Sequence, residues 1–228
     1  MSTTYPKINT IWKRDEKNKG KIIEGDFARE EFKSINRWQV SEKIDGTNIR
    51  VIYLNFRPRG PPSVTFQGKT DNAQISAKLV NKLREIFTVE KFQAAFPKKE
   101  DGSEATDVIL YGEGYGGTIQ GVKGGDAYGV PEGIILFDAN VDGWWLEREA
   151  VFDIASKMGV PCVPAIPSNG LYVTTDEAIA FVKNKTESQI WKGHVIEGIV
   201  CRAYPMMMFK NPPGEPIMWK LKVKDYKE

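Results

Sequence analysis

Lys43 stands two residues before an Asp-Gly pair, in the run Lys43-Ile44-Asp45-Gly46-Thr47-Asn48. The flanking stretches, residues 37–42 and 49–54, read as strands. Asp-Gly between two such runs signals a hairpin, because glycine takes a positive φ at no steric cost. A lysine held at a strand end can face a pocket and act as a nucleophile. A solvated charge beside a turn is the plain alternative.

Other residues offer chemistry that such an amine would need. In Trp219-Lys220-Leu221-Lys222-Val223 the two lysines share one face of a strand and the apolar residues share the other. That pattern suits a fixed pair of cations for an anionic group, or an amphipathic edge strand. Glu197 is placed within a strand, with Ile199 and Cys201 on its face. A carboxylate there must be paired or bind a cation to offset its burial. Glu113 opens a glycine-rich stretch and can accept hydrogen bonds from hydroxyls. Phe137, in an Ile-Ile-Leu-Phe run, suits either a core or a stacking surface. His194 is the only histidine and reads as a structural or surface residue.

The elements that must position these groups alternate irregularly, which argues for an α+β fold. Residues 37–43 and 48–55 form the expected first hairpin, and residues 57–62 a proline-rich loop. A short strand follows from Ser63 to Gly68, then a helix from Gln74 to Phe87. Val108 to Gly112 and Ile134 to Asp138 are apolar strands, with a glycine-rich loop between them. Glu147 to Met158 reads as a helix ended by Gly159 and Pro161. Thr174 to Glu177 is a capping box that opens another helix. The last strands run from His194 to Ala203 and from Ile217 to Lys224.

Taken in order, five segments resemble the motifs of the covalent nucleotidyltransferases, the polynucleotide ligases and messenger-RNA capping enzymes. They are Lys43 to Asn48, Tyr111 to Gly116, Ile135 to Asp138, Glu197 to Arg202 and Trp219 to Lys222. Tyr5 to Ile8 and Trp12 to Asp15 resemble the start of the ATP-dependent RNA ligase branch. Asn48 is similar to the residue in the branch that seals nicks in duplex RNA, where DNA ligases and capping enzymes usually carry arginine. The match covers nearly the whole chain, from Tyr5 to about Lys224.

The resemblance implies a nucleotidyltransferase (ATP-grasp-like ligase adenylation) domain, α+β, with two antiparallel sheets and flanking helices. Ligases of this superfamily usually carry a further C-terminal domain, often an OB-fold in DNA ligases; here the expectation is a single domain over residues 1–228, without a C-terminal OB-fold or other appended domain. A minimal ligase, a truncated chain, and one that leans on an accessory nucleic-acid-binding partner for grip are the alternatives this leaves. Lys43 would attack the α-phosphorus of ATP and become lysyl-AMP, pass AMP to a 5′-phosphate, and allow a 3′-hydroxyl to seal the nick. Lys220 and Lys222 would join it as catalytic cations. Glu42, Ile44, Asn48, Lys69, Glu113, Phe137 and Glu197 would bind the nucleotide, with Glu113 on the ribose and Phe137 stacked on adenine. Asp45 and Glu197 would hold Mg²⁺ or Mn²⁺. A free lysine has a pKa of about 10.4, so the neutral amine lies roughly 4–5 kcal/mol uphill at pH 7; a metal and nearby lysines would lower that barrier. The family's basic residue after the first strands, often arginine, is matched here by Lys69, which cannot make arginine's bidentate contact.

Composition sets the outer bounds. The chain has 228 residues and a formal net charge of +2, so charge alone makes no case for nucleic acid. The basic run from Lys13 to Lys21 and the lysines after Trp219 are local candidates for a phosphate-binding face. No apolar run reaches membrane-span length, and two cysteines are too few for a disulfide framework. A cytoplasmic enzyme acting on nucleic acid ends, RNA before DNA, is the expectation. A DNA ligase, a capping-type guanylyltransferase and a binding module without catalysis are the rivals; the set Lys43, Glu113, Glu197, Lys220 and Lys222 argues against the last.

Overall fold

The strand that ends in Lys43 does not pair with the strand that begins at Thr47. In the computed structural model, which describes residues 3–55, 60–98, 102–119, 128–167 and 172–226, the two strands belong to different sheets. The chain divides into two compact units, Met1–Tyr5 with Asp45–Cys162, and Pro6–Ile44 with Val163–Glu228.

The strands are β1 (Asn9–Thr10), β2 (Trp12–Asp15), β3 (Lys21–Phe27), β4 (Trp38–Lys43), β5 (Thr47–Leu54), β6 (Ser63–Gln67), β7 (Asp107–Tyr115), β8 (Gly133–Val141), β9 (Trp144–Trp145), β10 (Gly198–Ala203) and β11 (Met218–Lys222). The helices are α1 (Glu30–Ser34), α2 (Ala77–Ile86), α3 (Val89–Ala95), α4 (Arg148–Met158) and α5 (Thr175–Lys183).

The unit that carries Lys43 is built on a four-stranded sheet of order β1-β11-β10-β4, with β2 and β3 as a separate hairpin. Alternation decides which face is buried. Val40, Ile199, Cys201, Trp219 and Leu221 turn inward and pack with Ala178, Ile179 and Val182 of α5. The expected capping box opens α5, with Thr174 and Glu177 bonding each other's backbone N–H, so the helix starts where it can cover the sheet. The indole N–H of Trp38 donates to Thr175 Oγ1 at 2.9 Å and ties β4 to that helix.

The other unit is a five-stranded antiparallel sheet of order β6-β5-β7-β8-β9. Its inner face, with Ile49, Val51, Tyr53, Val108, Leu110 and Leu136, is covered by Leu79 and Leu83 of α2, Phe92 of α3, and Val151, Ile154 and Met158 of α4. Gly159 closes α4 at φ +72°, a left-handed conformation that suits glycine. On the opposite face Ile52, Ile109 and Tyr111 form a smaller cluster with Tyr5 and Phe137.

The α+β class with helices against largely antiparallel sheets is borne out. One pair departs from the expectation, because β1 runs parallel to β11. The first hairpin is corrected: β5 pairs with β6 and β7, and β4 pairs with β10. Asp-Gly is a local signal, whereas each strand's partner is chosen by the apolar face it can share. Gly46 is not among the positive-φ residues. A Cβ there would lie 2.2 Å from Gly114 O, so close backbone approach, not turn geometry, requires glycine. The last strands are shorter than expected, starting at Gly198 and ending at Lys222. Residues 57–59 of the proline-rich loop and 120–127 of the glycine-rich loop lie outside the described residues.

Candidate active site

Glu197 lies just before β10 rather than within a strand, and this frees its carboxylate from the strand's alternation. Gly198 pairs with Lys43 of β4 on one side and with Lys222 of β11 on the other. Glu197 therefore stands beside two lysines. Lys43 Nζ donates to its Oε2 at 2.6 Å, and Lys222 Nζ donates to its Oε1 at 2.5 Å. All three side chains are largely shielded, at 21%, 22% and 16% exposure for Lys43, Lys222 and Glu197. Charged hydrogen bonds of this kind are short and strong when water is kept away.

Gly198 makes this arrangement fit. A Cβ at that position would lie 2.2 Å from Leu221 O and 2.8 Å from the Cα of Lys222. Lys220 shares the lysine face of β11, as the alternation predicts, while Trp219 and Leu221 are fully buried. Lys43 Nζ also donates to Ile44 O at 3.3 Å, and the Ile44 side chain is buried.

Glu42 has its side chain turned into the fold, at 2% exposure. One oxygen accepts the Ser188 hydroxyl at 2.5 Å, and the other accepts the Gln189 backbone N–H at 3.0 Å. Burial pushes its carboxyl above the ordinary value, against the pull of those two hydrogen bonds. The basic N-terminal run is partly neutralised: Lys13 pairs with Asp26 and Arg14 with Asp225. The second oxygen of Asp225 accepts the Lys222 backbone N–H at 3.0 Å, fixing the end of β11.

The remaining sequence-predicted residues belong to the other unit. Asn48 of β5 is directly opposite Glu113 of β7, so the two side chains stand together on the face away from the helices. Asn48 Oδ1 is buried and has no hydrogen-bond partner among the described residues. An orphaned acceptor is costly when buried and points to a donor that the fold does not itself supply. Phe137 lies at an irregularity where β8 slips by one residue against β7. It packs edge-on against Tyr5, ring centroids 5.0 Å apart. The Tyr5 hydroxyl donates to the fully buried Asp138 at 2.8 Å. Asp45 is exposed, and its backbone N–H donates to the Tyr128 hydroxyl at 2.6 Å.

Lys69 is exposed on the turn after β6. Behind that turn stands a residue that sequence reasoning missed. Arg50 is fully buried and donates to Gly68 O at 2.8 Å, Thr3 Oγ1 at 2.7 Å and Asp71 Oδ1 at 2.9 Å. Strand parity put it on the same face as Asn48, which was the available signal; the general rule that arginines lie outside hid it.

Among the described residues no group of three or more His, Cys, Asp or Glu side chains is arranged to hold a metal. Glu197 and Asp45 belong to different units; each offers a carboxylate, the hard oxygen donor that a magnesium-like ion takes together with substrate oxygens and water. Among the described residues, no helix is long and apolar enough to cross a membrane.

The RNA ligase family model matches residues 36–218, a span that holds Lys43, Glu113 and Glu197. The chain belongs to the RNA ligase family. No curated protein matches it in sequence. Among solved structures, this RNA ligase family member is similar to a Naegleria gruberi RNA ligase with PPi, at 18% identity and a TM-score of 0.57, over 84% of this chain and 50% of that one. A lysine-to-alanine variant of the Naegleria enzyme with ATP and Mn gives 18% identity and a TM-score of 0.56, again over 84% and 50%. A glutamate-to-alanine variant with AMP and Mn gives 18% and 0.56, over 84% and 51%. At this identity the likeness is one of fold, and the chain spans about half the length of the structures it matches.

Proposed function

We propose that the chain is the adenylation domain of an ATP-dependent RNA ligase. The observation that carries this reading is the single Glu197 carboxylate shared by Lys43 and Lys222. Family membership supports RNA as the substrate, and the ATP, AMP, Mn and PPi named with the similar structures suit the same chemistry.

In this reading Lys43 Nζ gives up one proton to solvent and, as the neutral amine, attacks the α-phosphorus of ATP. A P–N bond forms, the bond to the bridging oxygen breaks, and pyrophosphate leaves. Glu197 orients the amine, and Lys222 and Lys220 stabilise charge that spreads over the phosphoryl oxygens. AMP then moves to a 5′-phosphate, and a 3′-hydroxyl displaces it to seal the strand. Asn48, Lys69, Glu113 and Phe137 bind the nucleotide, with Glu113 on the ribose and Phe137 on the base. Glu42 and Ile44 contribute through their backbone beside the amine. A bound divalent cation would neutralise phosphate charge, with Glu197 and Asp45 as its protein ligands.

Intact-mass measurement after incubation with ATP and Mg²⁺ tests the first step. The wild-type protein should gain the mass of one AMP and Lys43→Ala should gain none. An adduct retained in Lys43→Ala, or formed from GTP and not ATP, would overturn the reading.

A further inference from the structure

Trp191, Lys192, Gly193 and His194 form a four-residue turn closed by the His194 N–H to Trp191 O, at 3.0 Å. Gly193 sits at φ +80°, the value that a type II turn requires at its third position. The turn sets its first and last side chains side by side. The Trp191 and His194 rings stack with centroids 3.8 Å apart and planes 14° from parallel. Lys192 and His194 are exposed, and the next residue, Val195, is 48% exposed. An indole, an imidazole and an ammonium are thus displayed together on one short turn.

The turn is fixed rather than loose. Ser188 Oγ accepts the N–H groups of Ile190 and Trp191 at 3.2 and 3.0 Å. Glu187 accepts the Gly193 N–H at 2.7 Å, and the Ser188 N–H donates to His194 O at 2.7 Å. Its base is the buried Glu42, the residue before Lys43, which takes the Ser188 hydroxyl and the Gln189 N–H. At its far end the segment runs through buried Ile196 into Glu197. One hydrogen-bonded frame therefore joins this turn to both members of the Lys43–Glu197 pair.

Nothing in the adenylation chemistry uses these three side chains. Their types are those of a platform for single-stranded or frayed RNA, in which a base stacks on an exposed ring and an ammonium meets the adjoining phosphate. We propose that the Trp191–His194 turn is an RNA-contact platform: the exposed face of His194 stacks on a base next to the end being joined, and Lys192 contacts its phosphate. This rests on the RNA ligase reading above.

The test compares His194→Ala, His194→Phe and Lys192→Ala with wild type. None of these residues belongs to the adenylation machinery, so the AMP adduct should form at the wild-type rate in all of them. Binding of the preformed adenylated protein to a nicked RNA duplex is then measured across a salt series. Stacking on one base is worth about 1–3 kcal/mol, so His194→Ala should weaken binding by roughly five- to a hundredfold. His194→Phe, which keeps a flat ring, should restore most of it. Lys192→Ala should make the dependence of log affinity on log salt shallower by about one. Unchanged RNA affinity in His194→Ala, or an equal loss in His194→Phe, would overturn the platform. Failure of the adduct to form in wild type would instead strike the underlying ligase reading.

Discussion

The two units treat their polar groups in opposite ways. In the Lys43 unit the reactive candidates satisfy one another: one carboxylate takes a lysine on each oxygen. In the other unit one buried polar group is fully served and another is not. Arg50 is buried and spends its donors on Gly68, Thr3 and Asp71, while Asn48 Oδ1 has no partner among the described residues. On the function proposed above, the difference amounts to a division of labour: the three charged groups hold one another in place, and the Asn48 Oδ1 acceptor is left for a ligand.

That contrast can be broken most directly at Glu197 and Asn48. Glu197→Gln keeps the shape but removes the charge that both lysines share. Self-adenylation should slow by on the order of a hundredfold at saturating ATP. Asn48→Ala should act on affinity instead, raising the ATP concentration for half-maximal rate by up to about tenfold, the worth of one hydrogen bond. Single-turnover rates across an ATP series separate the two; if both variants change the same parameter, the division fails.

Arg50 and Asp71 sharpen the comparison within the unit that carries Asn48. Arg50→Ala removes three hydrogen bonds from a fully buried side chain and should cost about 2–4 kcal/mol in denaturant unfolding. Asp71 pairs with the same arginine but its side chain is 74% exposed, so Asp71→Ala should cost less than about 1 kcal/mol. Equal losses would mean that the ion pair, and not the buried clamp, holds the turn bearing Lys69.

The smallest effect concerns Glu42. Burial raises its carboxyl above the ordinary glutamate value of 4.5, so the unfolded chain gives up that proton at a lower pH than the folded chain. Whatever stability the protonated form contributes is present below the ordinary value and is lost as pH rises through the raised one. Glu42→Gln should therefore flatten melting temperature against pH over that window, as followed by thermal unfolding between pH 4 and 7. An unchanged slope would contradict a buried, hard-to-ionise carboxyl.

Much of this was legible in the chain. The alternation of Trp219 to Lys222 correctly assigned a buried face and a lysine face to β11, and Thr174 to Glu177 marked the start of α5, because both signals are local. The two Asp-Gly pairs show where local signals stop. Asp45-Gly46 was read as a hairpin and is not one. Asp142-Gly143 was passed over, yet both residues have positive φ, +51° and +91°, and they join β8 to β9 in a two-residue turn. Identical dipeptides differ because the strands around them differ in partner. Arg50 escaped notice because no short pattern announces a buried guanidinium. Glu197 gained its two lysines only once Gly198 was paired on both sides, a fact of sheet order that separate segments cannot carry.

A carboxylate divided between two amines also shapes how this corner of the protein can change over time. Substituting any one of the three alters the electrostatic surroundings of the other two, so mutational effects at Lys43, Glu197 and Lys222 will combine non-additively. A second substitution should do less harm after the first than it does alone. Engineering at this corner therefore has to be judged on combined variants and not on single ones.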